Sequence, residues 1–132
     1  MSSSTLNRFA PQALGILRIM AALLFLAHGT QKILGFPVAP QSGFPPAFTM
    51  YWFAGVIELV TGTLLALGLF TRPAAFLAAG LAAAAYWIGH APRSFYPLLN
   101  GGDAAVLYCF VFLYLVFAGA GAFSIDGARS RN

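Results

Sequence analysis

Four long apolar stretches, set apart by short clusters of glycine, proline and charge, make up most of the chain. A helix needs about 20 mostly apolar residues to cross a hydrocarbon layer about 30 Å thick. The stretches therefore predict membrane-spanning helices at about 13–33, 47–70, 73–91 and 103–123. The second is broken only by Glu58, the third fills the uncharged interval between Arg72 and Arg93, and the fourth carries no charge beyond Asp103. Between the first two, 34–46 holds Gly35, Pro37, Pro40, Gly43, Pro45 and Pro46, too much punctuation for regular structure, and is expected to be a loop. Thr71-Arg72-Pro73 joins the second and third stretches almost directly, which makes them antiparallel neighbours, and proline is tolerated in a first helical turn. Asn100-Gly101-Gly102-Asp103 marks the start of the fourth helix, since Asn or Asp there can accept hydrogen bonds from first-turn amides. No internal repeat, low-complexity linker or second domain interrupts the pattern. The expectation is an all-α integral membrane four-helix bundle, antiparallel up-down, forming a single domain over 1–132.

Composition strengthens this reading. Apolar residues make up 60% of the chain and charged ones 8%, against roughly 25% charged in soluble domains. The net charge of +4 is spread singly rather than gathered into a basic stripe, so nucleic acid is not expected as a partner; the lipid bilayer is. Lys and Arg instead set topology, being retained on the cytoplasmic side. With the N-terminus inside, Arg8, Arg72, Arg129 and Arg131 are cytoplasmic while Lys32 and Arg93, with the 34–46 loop, lie outside. This gives an N-in/C-in, multi-pass membrane protein. Arg18 interrupts the first apolar run and no small-x-small cleavage site follows, so that segment is read as a retained helix and not a signal peptide. The lone Cys109, inside an apolar stretch, reads as a buried small hydrophobe and excludes an intrachain disulfide or a cysteine-based metal site.

An ionisable group inside a bilayer is costly unless it is paired, faces water or lies in the protein interior. At 100° per residue, Arg18, His28 and Lys32 share one face of the first helix, and Tyr51, Gly55, Glu58, Thr61 and Gly62 share one face of the second. These faces are expected to meet, with a buried Arg18–Glu58 ion pair extended by His28 and Tyr51, and with Lys32 snorkelling toward the outer surface. The cluster Arg18, His28, Lys32, Tyr51 and Glu58 is thus the candidate ligand-binding site. It would either fix helix register or bind a polar head group such as a quinone carbonyl, or relay protons. No metal site is expected. His28 and His90 have the count for a bis-histidine haem, but His90 lies too near the loop for both rings to reach equal depth, so haem b is disfavoured. Trp52, Trp87, Tyr51 and Tyr86 lie near helix ends, where interfacial belts place aromatics without any cofactor.

Arg18, then His28-Gly29-x-x-Lys32, then Gly55-x-x-Glu58-x-x-x-Gly62, then Gly68-Leu69-x-Thr71-Arg72-x-Ala74-Ala75, then Asn100-Gly101-Gly102-Asp103 form a series that resembles the DoxX family. Asp103 stands where that family commonly has Glu. The resemblance implies a four-helix, multi-pass protein of a bacterial inner membrane, with relatives in membrane redox complexes and others acting in assembly of membrane proteins. It maps the family's polar set onto Arg18, Lys32, Glu58, Asn100 and Asp103. The chain has no dinucleotide fingerprint and no HExxH motif, so catalysis on its own is not expected. The leading expectation is an accessory or anchoring subunit of a quinone-linked redox system, a part of an oxidoreductase complex, working with other membrane subunits or as a homo-oligomer. The alternatives are a scaffold or assembly factor, for which the small residues Gly80 and Ala82 to Ala85 would serve helix contact, and a small oligomeric transporter or proton path through Glu58.

Overall fold

The computed structural model describes residues 2–130, and all regular structure among them is helical. The elements are α1 (Ser3–Arg8), α2 (Ala10–Leu34), α3 (Met50–Leu67), α4 (Thr71–Ala85) running on into a π-helical turn (Tyr86–His90), α5 (Pro97–Asn100), α6 (Asp103–Ala118) and α7 (Ile125–Ser130). Arg131 lies outside the described residues.

Each long helix buries one stripe. On α2 it is Gly15, Arg18, Ala21, Ala22, Phe25 and Gly29, and on α3 it is Gly55, Glu58, Thr61, Gly62 and Leu65, both at the three-to-four spacing of a helix face. The glycines let α2 and α3 touch backbone to backbone. A methyl group on Gly29 would meet the Leu59 amide at 2.8 Å, one on Gly62 would meet Leu26 Cα at 3.0 Å, and one on Gly55 would meet the Ile33 side chain at 2.9 Å. Rising numbers on α2 face falling numbers on α3, so the pair is antiparallel. Helix α3 also packs on α4, α4 on α6, and α6 returns to α2, around a core that includes Ala22, Phe25, Leu65, Ala78, Phe112 and Leu115. The ring of Phe25 stands edge-on to Tyr108 and Phe112, at 5.2 and 4.9 Å between centroids.

Small residues face inward and large apolar ones outward: Ile16, Met20, Leu24, Phe76, Phe110 and Phe117 are all more than half exposed. In water such a surface would be an aggregation liability; against lipid it has no penalty, and small residues inside allow close helix contact. Two helices, Ala10–Leu34 and Met50–Leu67, are long and apolar enough to cross a bilayer.

The fourth helix ends earlier than the apolar run. Helix α6 stops at Ala118, and the chain turns through Gly119 at φ 82° instead of continuing to 123. It then folds back across the end of the helices: the Ala122 amide donates to the Pro11 carbonyl at 2.9 Å and the Asp126 amide to the Gly68 carbonyl at 2.8 Å. Helix α3 likewise runs from Met50 to Leu67 rather than over 47–70, ending where Gly68 takes the left-handed conformation, φ 67°. Helix α4 starts at Thr71, with Pro73 inside its first turn.

Candidate functional site

Arg18 is fully buried, as an in-membrane arginine needs to be, but it is not paired with Glu58. Its Nε donates to the Leu65 carbonyl at 2.9 Å, Nη1 to the carbonyls of Ala120 and, at 3.1 Å, Ala122, and Nη2 to that of Phe123 at 2.7 Å. The returning segment 119–124 supplies most of these acceptors, so the guanidinium ties the C-terminal fold-back to the end of α3. Arg72 acts similarly, donating to the Val116 and Phe117 carbonyls at 2.9 and 2.7 Å at the C-terminal end of α6. Asp126 accepts from the Phe70 and Thr71 amides at 3.0 and 2.9 Å, which covers the N-terminus of α4. Arg18 therefore lies at the end of the molecule that holds both described termini, away from the other residues of the expected cluster.

Glu58 pairs instead with Lys32, Nζ to Oε1 at 2.8 Å. The glycine contacts set Gly29 against Glu58, which leaves Lys32, one turn further along α2, above the carboxylate. Lys32 thus does not snorkel away. Its side chain is 25% exposed and that of Glu58 9%, so the pair sits at the border between packed interior and an open space.

That space is a cavity of about 410 Å³, lined by His28 and Lys32 of α2, Tyr51 and Glu58 of α3, and Tyr108 of α6. His90 and Arg93 close the far wall. Four of the expected cluster residues, His28, Lys32, Tyr51 and Glu58, therefore face one cavity, and Arg18 does not. The two histidines considered as haem ligands share it as well, with the His28 ring edge-on to Tyr108 at 5.9 Å. Sequence reading missed Tyr108. Its signal is faint, one of two tyrosines on an otherwise apolar helix, one turn beyond the small pair Ala104 and Ala105 that also line the space.

The floor of the cavity is organised by the turn before α6. Asn100, 2% exposed, accepts the Gly102 amide at 2.8 Å and donates to the Ser94 carbonyl at 2.7 Å and to the Tyr86 hydroxyl at 3.3 Å. Tyr86 in turn donates to the Phe95 carbonyl at 2.7 Å. Gly101 takes φ 73°, and any Cβ on Gly102 would collide with the Tyr86 ring at 2.8 Å. Asn100 thus closes its own turn rather than capping the first-turn amides of α6. Asp103 makes no capping hydrogen bond; it stands in the first turn, where its charge meets the positive end of the helix dipole.

The DoxX family model matches residues 13–91, more than half of the chain. The chain belongs to the DoxX family. The matched region holds most of α2, all of α3 and α4, and the π turn, and with them Arg18, His28, Lys32, Tyr51, Glu58 and His90, while Tyr108 and the Asn100 to Asp103 turn lie beyond it. This DoxX chain is similar to an uncharacterized protein of Haemophilus influenzae, 44% identical over 127 residues that cover 93% of this chain and 95% of that one. It is also similar to an uncharacterized membrane protein of Mycobacterium tuberculosis, 37% identical over 75 residues, or 53% of this chain and 46% of that one. No solved structure matches significantly. Family, relative and outward apolar surface agree that this DoxX chain is a membrane protein.

Proposed function

We propose that this DoxX protein is a multi-pass inner-membrane protein that holds a quinone-class head group in the Lys32–Glu58 cavity, as an accessory or anchoring subunit of a membrane redox system. The observation that carries the reading is the position of the ion pair. A pair serving only to fix helix register is best sealed by packing, whereas this one stands on the wall of a cavity of about 410 Å³ beside His28, Tyr51 and Tyr108. A largely apolar space of that size with a few convergent polar groups suits a substituted ring bearing oxygen functions, with its apolar tail left in lipid. The four long helices are read as four spans. Arg8, Arg72 and Arg129 gather at the end that holds the described termini, and Lys32 and Arg93 at the other, which supports N-in/C-in. The chain has one cysteine and no dinucleotide fingerprint, so electrons would reach the ring from a partner subunit.

The test is binding of decylubiquinone to the protein purified in mild detergent. Glu58→Gln is expected to abolish binding while helical circular dichroism stays unchanged; binding equal to that of the unaltered chain refutes the reading. Proteins recovered with it in the same preparation should include a redox enzyme. A helical client protein instead would favour an assembly role, and a lone oligomer would favour a transporter.

A further inference from the structure

The segment between the π-helical turn and α6 is built inside out for a loop in water. Its polar groups are turned inward and met by protein. The carbonyls of Ser94, Phe95 and Asn100 accept from the Asn100 side-chain amide at 2.7 Å, the Tyr86 hydroxyl at 2.7 Å and His90 Nδ1 at 3.0 Å. The Gly102 amide donates to Asn100 Oδ1 at 2.8 Å, and the Tyr96 carbonyl takes the Leu99 and Asn100 amides, both at 3.0 Å. Its apolar groups are turned outward: Leu98 is 83% exposed, Leu99 71%, Phe95 69% and Tyr96 63%. Water would complete loop carbonyls without help from buried side chains, whereas in a membrane every such group must be met by protein.

Helix lengths place this segment at membrane depth. Helix α6 has 16 residues, about 24 Å at 1.5 Å each, less than the roughly 30 Å of a hydrocarbon layer. Helix α4 with its π turn runs from Thr71 to His90, about 30 Å. The two are level at the end with the termini, where Arg72 donates to the Phe117 carbonyl. At the opposite end Gly102 lies against the Tyr86 ring, so α6 begins about one turn below His90. The connecting residues descend to that depth, with α5 packed on α6 next to Leu107 and Phe110, whose 66% and 64% exposure belongs to the lipid-facing surface.

Resting on the four long helices as spans, as proposed above, we infer that residues 94–99 form an interfacial segment of the bilayer, with Phe95, Tyr96, Leu98 and Leu99 set against lipid. The segment extends the apolar surface of α6 into the head-group boundary. Arg93 and Asp103, both exposed, bracket it, and charges that the hydrocarbon would reject are tolerated in that layer, which fixes the depth. The Tyr86, His90 and Asn100 side chains replace the water that the loop backbone lacks. The cavity wall made by His90 and Gly101 is then held by the membrane as well as by packing.

The test uses Leu98→Cys, Phe110→Cys on α6 and Ser42→Cys in the loop between α2 and α3, each combined with Cys109→Ala in the full chain and reconstituted into lipid nanodiscs. All three positions are exposed on the protein, so only the surroundings distinguish them. A membrane-impermeant maleimide should react with Ser42→Cys at least about tenfold faster than with Leu98→Cys, the bias that burying the neighbouring apolar side chains gives. A fluorophore attached to Leu98→Cys before reconstitution should be quenched more by lipid carrying a nitroxide near its head group than near its chain end, with the reverse order on Phe110→Cys. Leu99→Cys should repeat the Leu98→Cys result. Leu98→Cys as reactive as Ser42→Cys, with Phe110→Cys protected, would overturn the interfacial segment and leave the spans standing. Reaction of Phe110→Cys at the Ser42→Cys rate would overturn the spans and the segment with them. Reactivity of Leu98→Cys in nanodiscs but protection in native membranes would overturn lipid in favour of a protein partner.

Discussion

Replacing Lys32 by Met isolates what the ion pair contributes. The change keeps the apolar stem and removes the ammonium, leaving Glu58, whose side chain is 9% exposed, without its partner. Breaking a buried pair costs about 3–5 kcal/mol, because the surviving charge stays desolvated. Here Lys32 is 25% exposed, so water reaches the pair and screens it, and about 2–3 kcal/mol is the expected loss for Lys32→Met. Glu58→Gln should cost less, roughly 1 kcal/mol, since the surviving ammonium sits on a flexible stem that can move toward water while the amide still offers an oxygen. The double variant removes both charges and should recover most of the loss, to within about 1 kcal/mol of the unaltered protein. The assay is unfolding by SDS titration out of dodecylmaltoside micelles, followed by far-ultraviolet circular dichroism. If Lys32→Met proves no more costly than Glu58→Gln, or if the double variant is no more stable than Lys32→Met alone, the carboxylate is not a desolvated charge held by Lys32.

Arg18→Met removes the donors to four carbonyls and should cost roughly 4 kcal/mol, with proteinase K cleaving 119–130 in micelles that protect it in the unaltered chain; Arg18→Lys, with a point charge in place of a planar fork, should protect it only in part. Burial would raise the Asp126 carboxyl, but hydrogen bonds from the Thr71 and Phe70 amides and the nearby Arg129 charge outweigh it and hold the group below the usual carboxylate range near 4. Its contribution is therefore complete above about pH 4 and lost as pH falls through the lowered value, so thermal unfolding midpoints should drop on acidification for the unaltered chain and much less for Asp126→Asn. Gly29→Ala, whose methyl would lie 2.8 Å from the Leu59 amide, should destabilise by about 2 kcal/mol, whereas Gly80→Ala, with open space around it, should stabilise by up to about 1 kcal/mol in the same SDS titration.

The helical, membrane character of the chain was legible because apolar length and the paucity of charge report it directly, and so was the convergence of the polar faces of α2 and α3. The partner of Glu58 was not. Periodicity gives the azimuth of Arg18, His28 and Lys32 but not the axial register, and the long loop between α2 and α3 leaves that register free by a turn or more. Contacts at Gly29, Gly55 and Gly62 decide it, and they bring Lys32 rather than Arg18 to the carboxylate. The true acceptors of Arg18 are backbone carbonyls, which no side-chain pattern displays, and they arrive only because the chain turns back at Gly119 inside a stretch that reads as continuous helix. The role of Asn100 was read one step short, since an Asn before two glycines suggests a cap but not that its own carbonyl orients a histidine ten residues earlier.

The two ends of the molecule show why an in-membrane charge is not by itself a site. At the end with the termini, Arg18 is spent on four carbonyls, Arg72 donates to two and Asp126 accepts from two amides. These bonds satisfy backbone groups of helix ends and of the returning segment that lipid cannot, which makes them anchors in a solvent without hydrogen bonds. At the other end Glu58 and His90, which both line a cavity, each use one polar atom on the protein and keep a second without a hydrogen-bond partner among the described residues. Neither of these atoms is sealed from solvent, unlike Thr71 Oγ1 at the first end, so water or a bound group can reach and complete them through the cavity. Residual bonding capacity that opens on a shared cavity, rather than charge or depth, is what separates the Lys32–Glu58 site from the Arg18 anchor, and it points the search for a ligand to one end of the molecule.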